Sequence, residues 1–247
     1  MSGYGAFSDD YYLNMHLATE LDMPHNRESV MHFFEQVQRR YPTMENFYSR
    51  EKNEFVLEED KEPGHYRWAS VEPRRINCGA VNPENIEDVV AQQHEIVDAI
   101  PYALSISPLE CESLSVMFGF DFTYRGNQNE LLHEALGVPS AFEKALDIPG
   151  ASPLSYEPSL QFALDKECRT QCRVSFETRT TAYQVRTEDY SEDQLSVYIT
   201  VRRFDSLRAG ESFAKEYDRL AALCRDLVDD FLIPNVLRPL QQTIALK

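Results

Sequence analysis

The chain has 247 residues, enough for one large domain or two small ones, and its 43% hydrophobic and 26% charged content is ordinary for a soluble globular protein. Its 41 acidic and 24 basic residues give a net charge of -17, which argues against general binding to nucleic acid or to an anionic membrane. We find no apolar run of the ~18 residues needed to span a bilayer and no signal-peptide pattern. With five cysteines in no regular framework, these features predict a cytoplasmic protein with reduced thiols.

The first predicted elements are a strand, a helix and two further strands. Alternating apolar residues predict a strand over residues 11–21. A helix follows, capped by Asn26 and ended by Pro42, because apolar residues recur between them at three- and four-residue steps. Two weaker strands are predicted over residues 46–58 and 66–78.

The next elements complete a familiar order. A second helix is predicted with Asn82 as N-cap, Pro83 at its first position and Pro101 at its end. A strand over residues 114–124 follows, and Asn127 opens a short helix with the sequence NELLHEAL. The βαββαβ order is that of a ferredoxin-like sandwich, in which both helices cover one face of an antiparallel sheet. We therefore expect the first strand to lie between an antiparallel and a parallel neighbour.

The rest of the chain predicts a second unit. Residues 148–158 contain three prolines and one glycine, a composition typical of a linker. Beyond it we predict a helix over residues 211–232, ended by Pro234, and three strands over residues 159–165, 171–186 and 194–204. The fold class is thus α+β. A ferredoxin-like unit in residues 1–147 precedes a meander covered by a long C-terminal helix in residues 159–247, with the second unit packed on the first.

Two cysteines in the segment KECRTQC resemble a metal or redox pair. Within one extended strand, Cys168 and Cys172 would lie roughly 13 Å apart, too far to share a metal or form a disulfide. Cys172 falls on the apolar side of its strand, so we place it in the core. The six histidines show no metal-ligand spacing, and there is no GxSxG motif or glycine-rich phosphate loop. We expect no metal and no cofactor.

Polar residues on the helix-free side of the first sheet form one candidate site. In a ferredoxin-like arrangement, His16 and Asp121 share this side, and Arg74 from a neighbouring strand could join them. His16 would then act as acid and base, with Asp121 orienting it and Arg74 binding an anion. In the competing interpretation, these groups satisfy one another where the second unit packs over the sheet.

A second polar side is predicted in the C-terminal sheet. Arg173 and Arg179 alternate with apolar residues on one strand, and Tyr198 and Arg202 share a side of the next strand. Cross-strand ion pairs would explain such a face without any ligand. The sharper interpretation is a binding surface for an acidic partner or a second copy of the chain, because Arg and Tyr are favoured at interfaces.

The absence of catalytic motifs favours a binding function. Our leading hypothesis is a cytoplasmic, non-catalytic binding or assembly protein, forming a homo-oligomer, that uses a sheet face to recognise a protein partner or its own copy. It would bind neither nucleic acid nor membrane. The alternative is a small-molecule enzyme or ligand-binding protein with a pocket at His16, Asp121 and Arg74.

Overall fold

One antiparallel sheet organises the fold in a computed structural model that describes residues 3–23, 27–50, 53–208 and 210–247. Within these ranges the sheet has nine strands. They are β1 (Asp10–Thr19), β2 (Asn46–Arg50), β3 (Glu54–Glu58), β4 (Tyr66–Glu72), β5 (Arg75–Val81), β6 (Cys111–Arg125), β7 (Ser159–Ala163), β8 (Thr170–Glu177) and β9 (Glu192–Phe204). Their order across the sheet is β2-β3-β4-β5-β1-β6-β9-β8-β7.

The helices complete an α+β architecture, which confirms the predicted fold class. They are α1 (Arg27–Arg40), α2 (Ile86–Ala103), α3 (Gln128–Leu136), α4 (Ser140–Leu146), α5 (Ala182–Thr187), α6 (Phe213–Leu227) and α7 (Arg238–Ala245). A π-helical segment, Val228–Leu237, joins α6 to α7 and contains Pro234. The predicted long C-terminal helix is therefore confirmed. No helix in the described part of the chain is long and apolar enough to cross a membrane.

The order of the strands repeats one topology on either side of the sheet centre. β1 and β6 pair antiparallel in the middle. On one side, β5, β4, β3 and β2 follow outward from β1, and on the other β9, β8 and β7 follow outward from β6. In each half the chain first forms the central strand, β1 or β6, and then helices and the remaining strands. Each half ends with a helix, α2 or α6, which packs on strands of the same half.

A single core lies between the helices and one face of this sheet. On β6 the apolar residues alternate with polar or small ones, and the apolar set is at most 3% exposed: Leu114, Val116, Phe118, Phe120 and Phe122. Helices α1, α2, α3, α6 and α7 all bury residues in the same core. A fully buried hydrogen-bond chain connects the layers, since Tyr217 on α6 donates to Gln93 on α2 at 2.8 Å, and Gln93 donates to the carbonyl of Leu13 on β1 at 2.9 Å.

The ferredoxin-like detail of the prediction is wrong at two hairpins. The strand predicted over residues 66–78 is the hairpin β4–β5, which turns at Pro73 and Arg74 because proline cannot donate to a ladder in mid-sheet. Likewise, residues 46–58 form β2 and β3. Because the hairpin reverses the chain, β1 has antiparallel neighbours on both sides, β5 and β6, and no parallel neighbour.

Two further boundaries differ for local reasons. β8 ends at Glu177, short of the predicted residue 186, because Thr181 and Gln184 form a capping box that starts α5. Asn85, not Asn82, caps α2. Asn82 accepts a hydrogen bond from the backbone of Tyr11 at 2.9 Å and so fastens the end of β5 to β1.

Other predicted features were placed correctly or remain predictions. Asn127 caps α3 through the backbone N–H groups of Asn129 and Glu130. The expected cap of α1, Asn26, lies outside the described residues. Residues 148–158 contain no helix or strand, but β6 and β9 pair along 13 residues, so the chain segments on either side share one sheet. The division into two units stays a prediction.

Candidate functional site

The face of the sheet opposite the core is the candidate site, and we call it the open face. It consists of the strand side chains that point away from the helices. Four large ones are Tyr12, Trp68, Met117 and Tyr198. All four are half-buried, and none of them belongs to the hydrophobic core cluster of the described residues. A broad, partly apolar surface therefore stays in contact with solvent.

Two glycines let the large side chains of the open face lie flat on the sheet. A Cβ on Gly119 would overlap the ring of Tyr12, and a Cβ on Gly79 would overlap Asn14 and press on Trp68. The rings of Tyr12 and Tyr198 lie 6.4 Å apart, centroid to centroid. Burial, reinforced by the nearby carboxylate of Asp121, raises the pKa of Tyr12 well above its usual value, so its hydroxyl stays protonated.

A cleft of about 260 Å³ lies on the open face over β7, β8 and β9. Arg173 and Arg202 contribute guanidinium groups to it, and Tyr198 lines its floor. The remaining lining residues are Met117, Gln161, Gln171, Ser175, Thr200 and Phe204. Among the residues that the structure describes, no carboxylate lines the cleft, although the chain carries 41 acidic residues. We call this feature the arginine cleft.

Positive charge is concentrated around the arginine cleft. Within the described ranges, no ion pair joins Arg75, Arg173 or Arg202 to a carboxylate. Partial burial, followed by repulsion from the guanidinium groups of Arg173 and Arg75, lowers the pKa of Arg202. Glu112 is the acidic group that counteracts this effect. The arginines thus carry positive charge that no direct ion pair within the described ranges neutralises.

Of the four predicted binding residues, the structure brings three together. Arg173, Tyr198 and Arg202 line the arginine cleft. Arg179 does not line the cleft, because it follows the end of β8 at Glu177. Its guanidinium donates to the carbonyl of Gln194 at 2.7 Å and lies 3.8 Å from Glu177, which fixes the loop after β8 against β9.

The three residues of the predicted catalytic group do not meet. The register pairs His16 with Ser115, whereas Asp121 lies six positions further along β6, roughly 20 Å away. Arg74 lies in the β4–β5 turn and donates from Nε to the carbonyl of Thr19 at 3.0 Å. It fastens that turn to the end of β1.

His16 and Asp121 interact with different neighbours on the sheet and not with each other. The His16 Nδ1 atom lies 2.9 Å from Asn77 Oδ1, and burial lowers the pKa of His16, so the ring is neutral at pH 7. Burial raises the pKa of Asp121, while a hydrogen bond from Ser196 opposes the shift. His16 therefore has the amide of Asn77, and not Asp121, as its partner.

Sequence reasoning missed Arg75 and Trp68 as members of the open face. Pro73 was the residue in the sequence that could have revealed them, because it favours a turn. A hairpin at Pro73–Arg74 shifts the alternation of the residues that follow by one position. Arg75 and Asn77 therefore lie on the open face, where a continuous strand would have placed Arg74. Trp68 lies on the same side, beside Gly79 on β5.

A larger hollow of about 610 Å³ lies elsewhere, near the start of α2 and the β3–β4 loop. Its carboxylates are Glu45, Glu59, Asp60, Glu84 and Asp88. Glu59 is occupied structurally, since it accepts from Thr43 Oγ1 at 2.5 Å and from the backbone of Arg67 at 2.7 Å. Among the described residues, no cluster of His, Cys, Asp and Glu could hold a metal ion. The arginine cleft carries the clearer recognition chemistry.

No protein-family model matches the chain. No curated protein matches it at a significant level of similarity either. The functional argument therefore rests on the geometry and charge of the open face.

Proposed function

We propose that the chain is a non-catalytic binding protein whose open face recognises an acidic segment of a partner protein. One observation carries the proposal: Arg75, Arg173 and Arg202 form no ion pair within the described part of a chain whose net charge is -17. Arg179, which lies outside the arginine cleft, is by contrast paired with Glu177. An acidic partner would supply the missing negative charge.

The composition of the open face supports the same proposal. Trp, Tyr, Met and Arg are enriched at protein interfaces, because they combine large contact area with directional polar groups. Trp68, Met117 and Tyr198 are half-buried in the free chain, so a partner would gain by covering them. Gly79 and Gly119 keep the surface flat enough for another chain to approach.

A second copy of the chain is the other occupant that we considered, as in the predicted homo-oligomer. A second copy could also supply negative charge to the arginines, because the chain itself is strongly acidic. Light scattering separates the two. A salt-resistant dimer that is lost when the open-face arginines are reversed would identify the second copy as the occupant and would contradict our choice of a different protein.

We also propose a cytoplasmic location. The five cysteines are free, and four of them are buried: Cys78, Cys111, Cys172 and Cys224. Burial raises the pKa of Cys172 to about 11, so its thiol is protonated and unreactive. Free thiols suit a reducing compartment.

The experiment is a calorimetric titration with poly-L-glutamate of about 20 residues at low salt. A face variant carries Arg75→Glu, Arg173→Glu and Arg202→Glu. A control variant carries Arg39→Glu, Arg186→Glu and Arg208→Glu, which are exposed sites outside the cleft and change the net charge equally. We expect the control variant to bind poly-L-glutamate at least about tenfold more tightly than the face variant. A direct contact between an arginine and a carboxylate contributes more to the affinity than the net charge of the whole chain does. Equal weakening, or no binding by the unmodified chain, would refute the proposal.

A further inference from the structure

We infer that the arginine cleft is a binding site for a phosphate monoester, carried by a phosphorylated side chain within the partner's acidic segment. This inference rests on the proposed function and narrows it, because it assigns one chemical group to one place on the open face.

The pairing register places the two arginines on the same side of adjacent strands. Arg173 on β8 lies opposite Thr200 on β9, and Gln171 lies opposite Arg202. Arg173 and Arg202 are therefore diagonal neighbours, with backbone positions roughly 7–8 Å apart. That spacing lets two guanidinium groups converge on one anion from either side.

The arginine side chains keep free donors. Arg173 uses its Nε atom to donate to Ser159 Oγ at 3.2 Å, which orients the guanidinium and leaves its terminal nitrogens available. Arg202 stacks on the ring of Phe204, with its central carbon 5.7 Å from the ring centroid. Each side chain is thus supported by a contact that does not consume its terminal N–H groups, which are the ones that form paired hydrogen bonds to phosphate.

The remaining lining favours a dianion over a carboxylate. Two arginines without acidic partners balance the charge of a phosphate monoester, which is close to -2 at pH 7, whereas a carboxylate would neutralise only one. Hydroxyl groups of Ser175 and Thr200 and amide groups of Gln161 and Gln171 lie around the same cleft. Gln161 and Gln171 already donate one N–H each, to Gln171 Oε1 and to the carbonyl of Cys168. The hydroxyls and the second N–H of each amide suit the three oxygens of a phosphoryl group.

The size of the cleft matches a single side chain. Its volume of about 260 Å³ is slightly below the ~300–1,000 Å³ typical of sites that enclose a drug-sized ligand. A phosphorylated serine would fill it, while the rest of an extended peptide would lie across the open face beside Tyr198 and Met117. Burial, and after it repulsion from Arg173 and Arg75, lowers the pKa of Arg202, and a bound anion would offset the repulsion.

The test uses three versions of one Glu-rich ten-residue peptide, with phosphoserine, serine or glutamate at the centre. We expect the phosphoserine peptide to bind at least about tenfold more tightly than the serine peptide, with the glutamate peptide between them. Arg173→Gln and Arg202→Gln should each remove most of this advantage. Arg202→Lys should retain only part of it, because lysine keeps the positive charge but lacks the planar guanidinium that forms two parallel hydrogen bonds to phosphate. Arg186→Gln, on α5, should preserve it. Thermal unfolding of each variant checks that it is folded.

The outcomes separate this inference from the proposed function. Equal binding of the phosphoserine and serine peptides would overturn the phosphate site and leave acidic recognition intact. An advantage that survives in both Arg173→Gln and Arg202→Gln would also overturn it. If no peptide binds, acidic recognition is refuted, and unperturbed arginine side-chain NMR signals in inorganic phosphate at about 10 mM would then overturn the phosphate site as well.

Discussion

Replacing Tyr217 with phenylalanine tests the buried hydrogen-bond chain that joins the two halves of the helix layer. Tyr217 and Gln93 are both 0% exposed, and the hydroxyl donates to Gln93 Oε1 at 2.8 Å. Phenylalanine keeps the ring and its packing but leaves this oxygen buried without a donor. Such a loss costs about 1–3 kcal/mol. We expect a decrease of about 2 kcal/mol in the free energy of unfolding, or roughly 4–8 °C in Tm for a chain of this size.

A double-mutant cycle isolates the Tyr217–Gln93 contact from its surroundings. Gln93→Leu also removes the donor to the carbonyl of Leu13, but this loss occurs in both Gln93 variants and cancels. The double variant should be more stable than the sum of the single effects predicts, by roughly 1–2 kcal/mol, because neither partner is left alone. Urea unfolding followed by far-UV circular dichroism measures all four proteins.

Tyr102→Phe supplies the matched control on α2. Tyr102 is 86% exposed, so its substitution should change stability by less than about 0.5 kcal/mol. If Tyr217→Phe is as stable as the Tyr102→Phe control, the hydrogen bond does not hold α6 to α2 and the account of the core is wrong.

Two further predictions concern pH and the open face. Burial raises the pKa of Tyr217 well above its usual value near 10, so the unfolded chain loses this proton first as the pH rises and stability falls above pH ~10. The stability difference between the unmodified chain and Tyr217→Phe should therefore shrink by about 1.4 kcal/mol per pH unit above pH ~10, and a constant difference in urea titrations from pH 8 to 11 would contradict this. Gly119→Ala should cost about 1–3 kcal/mol, because its methyl group overlaps the ring of Tyr12. In a Tyr12→Ala background the same Gly119→Ala change should cost much less, and thermal melts in which it costs as much there as in the unmodified chain would count against the packing described.

Local patterns were enough to predict many of the elements. The alternation from Leu114 to Phe122 marks β6, Asn127 marks the start of α3, and the apolar stripe of α6 marks the C-terminal helix. These signals are local, since a period of two or 3.6 residues depends only on which face is buried. Three members of the arginine cleft were predictable for the same reason, because alternation on two adjacent strands puts Arg173, Tyr198 and Arg202 on one side.

The topology of the sheet depends on information that periodicity does not contain. The Pro73–Arg74 turn has no glycine or asparagine, so one continuous strand was predicted there and both Arg75 and Trp68 were missed. Which strands become neighbours depends on contacts between distant segments, such as β1 with β6. The missed hairpin suggested a parallel neighbour for β1 and placed Arg74 on the open face. His16 and Asp121 were grouped because periodicity does not give the register between β1 and β6.

The central claim is that the open face is the surface covered on binding, and Trp68 reports on it directly. It is the single tryptophan of the chain, it is half-buried, and it lies on β4, across the sheet from the arginine cleft. The measurement is acrylamide quenching of Trp68 fluorescence as the acidic peptide saturates the protein. Our account predicts that the bound peptide shields Trp68 and lowers the quenching constant. Unchanged quenching in the peptide-saturated protein would show that the bound peptide does not extend over the open face to β4, and would contradict the claim that this whole face is covered on binding.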